Sequence, residues 1–145
     1  MLTNDTKISV FQPDESNSSE VPFVSSGIKA GFPSPAADFD GTKISLDAIV
    51  VKHKEATFYA RASGNSMVNA GIADGDILVI DRSLEPTHNK IAVCFIDGEF
   101  TVKRIQIEKD CVYLIPENND YEPIKVTEDN ELLIWGIVTH VLKSL

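Results

Sequence analysis

The chain has 145 residues, 43% of them hydrophobic, which suits a single packed domain by the prior of roughly 100–200 residues per domain. Thirteen Lys and Arg against 22 Asp and Glu leave a formal charge of −9, so no direct nucleic-acid binding is expected: the sign is wrong for gripping phosphates unaided. No apolar run approaches the roughly 18 residues of a membrane span, and Met1-Leu2-Thr3-Asn4-Asp5 lacks the basic start and apolar core of a signal peptide; a cytoplasmic protein is expected.

Residues 1–30 hold six serines (Ser9, Ser16, Ser18, Ser19, Ser25, Ser26) and apolar residues at no sustained period. Such a segment buries too little surface to order itself, and it predicts a mobile arm with at most a short strand at Ile8–Gln12. Four acids and two bases put −2 of the charge there. In the junction that follows, Ala30-Gly31-Phe32-Pro33-Ser34-Pro35, two prolines impose an extended path, as in a linker.

From about Ile44 the chain becomes a succession of short β-type runs. Single helical turns are expected near Ser45–Val51 and Ser66–Ala70. Strands are expected at Thr57–Ala62, Asp76–Ile80, Lys90–Ile96, Glu99–Ile107, Cys111–Ile115, Ile124–Val126 and Leu132–Leu142. Asp97-Gly98 between two of these runs is a strong hairpin signal. Cys94 and Cys111 lie inside apolar runs without the paired spacing of a zinc site or disulfide framework, so buried reduced thiols are expected, with no metal and no cofactor. The architecture that follows is mostly β, one domain with long-range strand pairing plus the arm.

Two residues attract attention as chemistry. Ser66 follows a strand and a Ser-Gly-Asn turn and opens a helical turn, where outward-facing N–H groups are able to stabilise an oxyanion. A serine after a turn is more often an N-cap, however, and the cap reading stands beside the nucleophilic one. None of His53, His88 and His140 has a triad context, which leaves a lysine as the candidate base. In the strand from Glu99, Lys103 shares a face with Ile105 and Ile107, and burial beside apolar groups favours the neutral amine that a base must be. The competing reading is a lysine that snorkels its charge to water.

Four segments in this order, Ala30-Gly31-Phe32-Pro33-Ser34-Pro35-Ala36-Ala37-Asp38, Gly64-Asn65-Ser66-Met67, Gly71-Ile72-Ala73-Asp74-Gly75-Asp76 and Asp97-Gly98-Glu99-Phe100-Thr101-Val102-Lys103-Arg104, together resemble the LexA/UmuD family of self-cleaving peptidases. The resemblance runs from about Ala30 to Leu145. It implies one peptidase domain of short, highly curved antiparallel strands over 31–145 and an arm, 1–30, removed by cleavage between Ala30 and Gly31. It further implies Ser66 as nucleophile, Lys103 as general base, and the backbone N–H groups of Ser66 and Met67 as oxyanion donors. With an arm too short for a DNA-binding domain, the chain is similar to the family's polymerase-accessory branch. That branch implies an SOS-response role, a homodimer, cleavage promoted by a RecA–single-stranded-DNA filament, and a UmuC-type lesion-bypass polymerase as partner of the trimmed form. Two rival readings stay open: a non-catalytic dimeric β module that binds and regulates a polymerase, and a signal-peptidase-like enzyme acting on other proteins.

Overall fold

The computed structural model describes residues 7–13, 19–23 and 42–145. It divides into two compact units, one built from Met1–Pro13 with His53–Leu145 and one from Asp14–Lys52. The smaller unit contains an antiparallel ribbon of β2 (Glu20–Pro22) with β3 (Lys43–Ser45), and the helix α1 (Leu46–Val50), the helical turn expected near Ser45–Val51, where the Ser45 side chain accepts from the Ala48 amide as an N-cap. Strand β2 is not foreseen by its composition; Lys43–Ser45 supplies the hydrogen-bonding partner that three residues lack by themselves. The predicted junction at Ala30-Gly31 lies outside the described residues.

The larger unit is one eight-stranded antiparallel sheet in the order β1 (Lys7–Phe11), β4 (Thr57–Ser63), β5 (Ile77–Asp81), β10 (Leu132–Leu142), β6 (Ile91–Ile96), β7 (Glu99–Ile107), β8 (Val112–Ile115) and β9 (Ile124–Val126). The expected strands are all present within a residue or two of their bounds. In the β6–β7 hairpin, Asp97 and Gly98 both take positive φ, 48° and 87°, the backbone twist that matches the flanking strands. The carboxylate of Asp97 accepts from the Glu131 amide and from Asn130 Nδ2, which ties this turn to the start of β10.

Strand β10 is the spine of the sheet and departs from simple alternation twice. Its register shifts between Ile134 and Gly136 against β6, and between Val138 and His140 against β5. Gly136 sits at the first of these points because a Cβ there would stand 2.5 Å from Ile80 Cγ2, a collision with a packed side chain. Two apolar clusters fill the sheet's concavities. Ala60, Ala62, Met67, Ile72, Leu78, Ile80, Val93 and Val102 form one, and Ala92, Cys94, Ile96, Ile105, Leu114 and Ile137 the other. Since Val102 and Ile105, three positions apart and so on opposite faces of β7, serve different clusters, that strand is buried on both faces, and β1 approaches β7 across the curl. Sheet twist accumulated over short strands is what brings such distant positions together.

Candidate active site

Ser66 stands in the loop that leaves β4. Three bonds fix this loop from outside. At its entrance Gly64 N donates to Asp74 Oδ1 at 2.9 Å; in its middle Asn65 O accepts from Asn118 Nδ2 at 2.8 Å; at its exit Asn69 N donates to the Glu117 carbonyl at 2.8 Å. A 3-10 turn over Val68–Ala70 follows, closed by Gly71 in the left-handed region at φ 84°. The N-cap position of that turn belongs to Met67 and carries no side-chain cap bond, so the capping role considered for Ser66 is not the one it plays. Ser66 and Met67 are both fully buried, and the Met67 side chain anchors the loop in the first apolar cluster.

Lys103 comes from the middle of β7, paired with Ala92 on β6. Its side chain is 2% exposed, which disposes of the snorkelling alternative. Nζ donates to Thr101 Oγ1 at 2.6 Å and to the Val102 carbonyl at 3.3 Å, and lies 3.5 Å from Ser66 Oγ. The two residues singled out in the sequence, 37 positions apart, are thus brought together in a buried setting. A separation of 3.5 Å is long for a strong hydrogen bond, and such contacts shorten when a reacting group enters. Ala30 and Gly31, the expected scissile pair, lie outside the described residues.

Cys94, opposite Thr101 across the β6–β7 ladder, has its thiol pushed up to about 12, chiefly by burial and against the pull of the Lys103 charge, so it remains a thiol at any ordinary pH. The histidines serve elsewhere. His53 Nδ1 pairs with Asp81 Oδ2 at 2.6 Å, His88 Nδ1 accepts from the Ile107 amide at 2.9 Å, and His140 Nδ1 contacts Thr139 Oγ1 at 2.9 Å. Among the described residues no group of three or more His, Cys, Asp or Glu is placed to hold a metal.

Several contributors escape sequence reasoning. Thr101, two positions before Lys103 and on the same face, reads as an ordinary strand threonine, yet it is the nearest polar contact of the lysine. Asp74, Glu117 and Asn118 sit in polar turns, and nothing in their local spacing announces that they meet the Ser66 loop. The presence of Asn and Asp in a run such as Pro116-Glu117-Asn118-Asn119-Asp120 signals a turn, not its destination.

A serine and a lysine meet in a buried setting on an antiparallel sheet, and the comparison with known families gives the class: the chain belongs to the Peptidase S24-like family, whose model matches residues 22–139. Within that family it is a LexA/UmuD-type protein. It is 42% identical over 139 residues to protein MucA of Salmonella typhimurium, with 94% of each chain covered. It is 40% identical over 121 residues to protein SamA of Salmonella typhimurium strain LT2, covering 83% of this chain and 84% of that one. The LexA repressor of Clostridium perfringens is more distant, 35% identical over 114 residues, which are 79% of this chain but 55% of the repressor. Among the described residues no helix is long and apolar enough to cross a membrane.

Proposed function

We propose that the protein cleaves its own chain between Ala30 and Gly31 with Ser66 as nucleophile and Lys103 as general base. The observation that carries this reading is the approach of Lys103 Nζ to Ser66 Oγ in a fully buried setting. A neutral lysine amine has two N–H donors and one lone pair. In this reading Thr101 Oγ1 and the Val102 carbonyl take the donors, and the lone pair serves the serine hydroxyl 3.5 Å away. Lys103 then accepts the hydroxyl proton as Ser66 Oγ bonds to the Ala30 carbonyl carbon; the tetrahedral oxyanion is held by the N–H groups of Ser66 and Met67; and the proton passes to the Gly31 nitrogen as the peptide bond breaks. Water, activated by the same amine, releases Ala30 from the serine. Small residues on both sides of the scissile bond let the arm's backbone come within about 3–3.5 Å of the nucleophile.

The MucA-like relatives and the acidic surface support an SOS-response role. In this reading a RecA–single-stranded-DNA filament promotes cleavage in the cytoplasm. The trimmed homodimer, Gly31 to Leu145, then joins a UmuC-type error-prone polymerase and reaches DNA through that partner. Incubation of the full chain at mildly alkaline pH, with and without activated RecA, tests the chemistry by intact mass. A fragment beginning at Gly31, absent in Ser66→Ala and Lys103→Ala, is expected. An unchanged mass under both conditions rejects self-cleavage and leaves a non-catalytic polymerase-binding module.

A further inference from the structure

The segment after β8 reaches the Ser66 loop twice, and it is itself held by the residue next to Lys103. Asn118 Nδ2 donates to the Asn65 carbonyl, one residue before Ser66; the Glu117 carbonyl takes the Asn69 amide, three residues after it. The Glu117 carboxylate accepts from Arg104 Nε, and Arg104 Nη1 donates to the Asn89 carbonyl at 2.7 Å. Arg104 follows Lys103 on β7 and, by alternation, projects to the other side of the strand. A continuous path therefore runs from the base's own strand, through Arg104 and Glu117, to both flanks of the nucleophile.

The Asn118 amide has only one orientation consistent with its neighbours. Its Oδ1 accepts from the Asp120 amide at 2.9 Å, which leaves Nδ2 to meet Asn65 O. We propose that Glu117 and Asn118 are positioning residues for the self-cleavage reaction: they set the distance between Ser66 Oγ and Lys103 Nζ by pinning the nucleophile loop to the strand that carries the base. The proposal rests on the Ser66–Lys103 reading above. Its physical basis is that Ser66 lies on a loop beyond the end of β4, so strand pairing alone does not fix its distance from Lys103, and a misplacement of 1 Å is able to cost about a hundredfold in rate.

The test is the self-cleavage rate of the full chain across pH, measured at a temperature where every variant is folded, alongside the thermal unfolding midpoint. Asn118→Asp keeps the acceptor for Asp120 N and the side-chain volume, but replaces the donor to Asn65 by a carboxylate oxygen and adds a negative charge, so the neutral Asn118→Ala is read beside it. A fall of the alkaline plateau by about tenfold to a hundredfold is expected, with the midpoint of the pH profile unchanged and a similar fall in Asn118→Ala. Glu117→Gln, which keeps its backbone carbonyl but loses the charge that meets Arg104, is expected to lower the plateau by a smaller factor, and it carries the test if Asn118→Asp does not fold. Wild-type rates in Asn118→Asp with a slow Asn118→Ala would mean mere space-filling and overturn the proposal. So would a lowered unfolding midpoint with an unaltered rate of the folded protein, or a displaced pH midpoint with the plateau intact. A wild-type chain that never cleaves, by contrast, rejects the underlying reading and not the role of these two residues.

Discussion

Ser66 and Lys103 face each other but are held in place by different physics. Lys103 lies in β7 with hydrogen-bonded neighbours on both sides, β6 and β8, and apolar packing on both faces. Ser66 lies on a loop whose geometry depends on three bonds, from Asp74, Asn118 and the Glu117 carbonyl, and on the burial of Met67. Lys103, the proposed base, is therefore positioned by the fold itself, at a cost measured in stability if disturbed. Ser66, the proposed nucleophile, is positioned by a few polar contacts, whose loss is expected to affect alignment more than stability.

Replacing each side in turn separates the two. The largest effect is expected from Lys103→Met, which keeps the volume and removes both the amine and its burial penalty. Self-cleavage should fall about a thousandfold or more, while urea unfolding shows stability equal to or above wild type. Disturbing the sheet instead of the chemistry, Leu114→Ala opens a cavity opposite Ile105 and should cost about 3 kcal/mol by the same unfolding assay. Cleavage by the molecules that remain folded should change little. Asp74→Ala reverses that pattern on the loop: loss of the bond to Gly64 N should slow cleavage about tenfold yet cost no more than about 1 kcal/mol. Thr101→Val probes the border between the two regimes, since it removes the closest polar contact of Lys103 from inside the strand; cleavage should drop with little change in circular dichroism.

The smallest effect concerns acid. Burial pushes the Asp81 carboxyl upward, but bonds from Ser83 and His53 outweigh it and hold the carboxyl below the usual range. For Asp76 burial is likewise outweighed, by the Ala73 amide and by Lys143. A carboxyl lowered on folding stabilises the native state above its unfolded value of about 3.9, and that contribution is lost as pH falls through the lower folded value. Unfolding midpoints followed from pH 6 downward should thus decline through the carboxylate range, and Asp81→Asn should flatten part of that decline. Neither group touches the Ser66 loop's tethers to the 117–118 segment, so the decline should appear in stability before it appears in alignment.

Much of this fold is legible because its signals are local. Asp97-Gly98 between apolar runs specifies a hairpin, and the alternation through Glu99–Ile107 places Lys103 beside isoleucines. The two reactive side chains are legible too, through the company they keep in Gly64-Asn65-Ser66-Met67 and Thr101-Val102-Lys103. Their mutual approach is not, because it depends on the accumulated curvature of the sheet, a property of no single strand. The tethers are least legible of all. Asp74, Glu117 and Asn118 lie in turns whose composition would suit any polar surface, and their partners are 10 to 53 residues away. Strand β10 is expected over Leu132–Leu142 and is found there, but its two register shifts, which skip Trp135 against β6 and Thr139 against β5, are not written in its hydrophobic pattern.

The strand order has a consequence for the life of the molecule during its own synthesis. Between β4, which leads to Ser66, and β7, which carries Lys103, the sheet inserts β5, β10 and β6, and among the described strands β10 follows all the others in the chain. A growing chain that already contains both Ser66 and Lys103 still lacks the element that joins their two halves of the sheet. Until Leu132–Leu142 has emerged and wedged between β5 and β6, the halves have no common frame, and the serine and lysine have no defined separation. Topology thus makes the approach of the two side chains wait on β10.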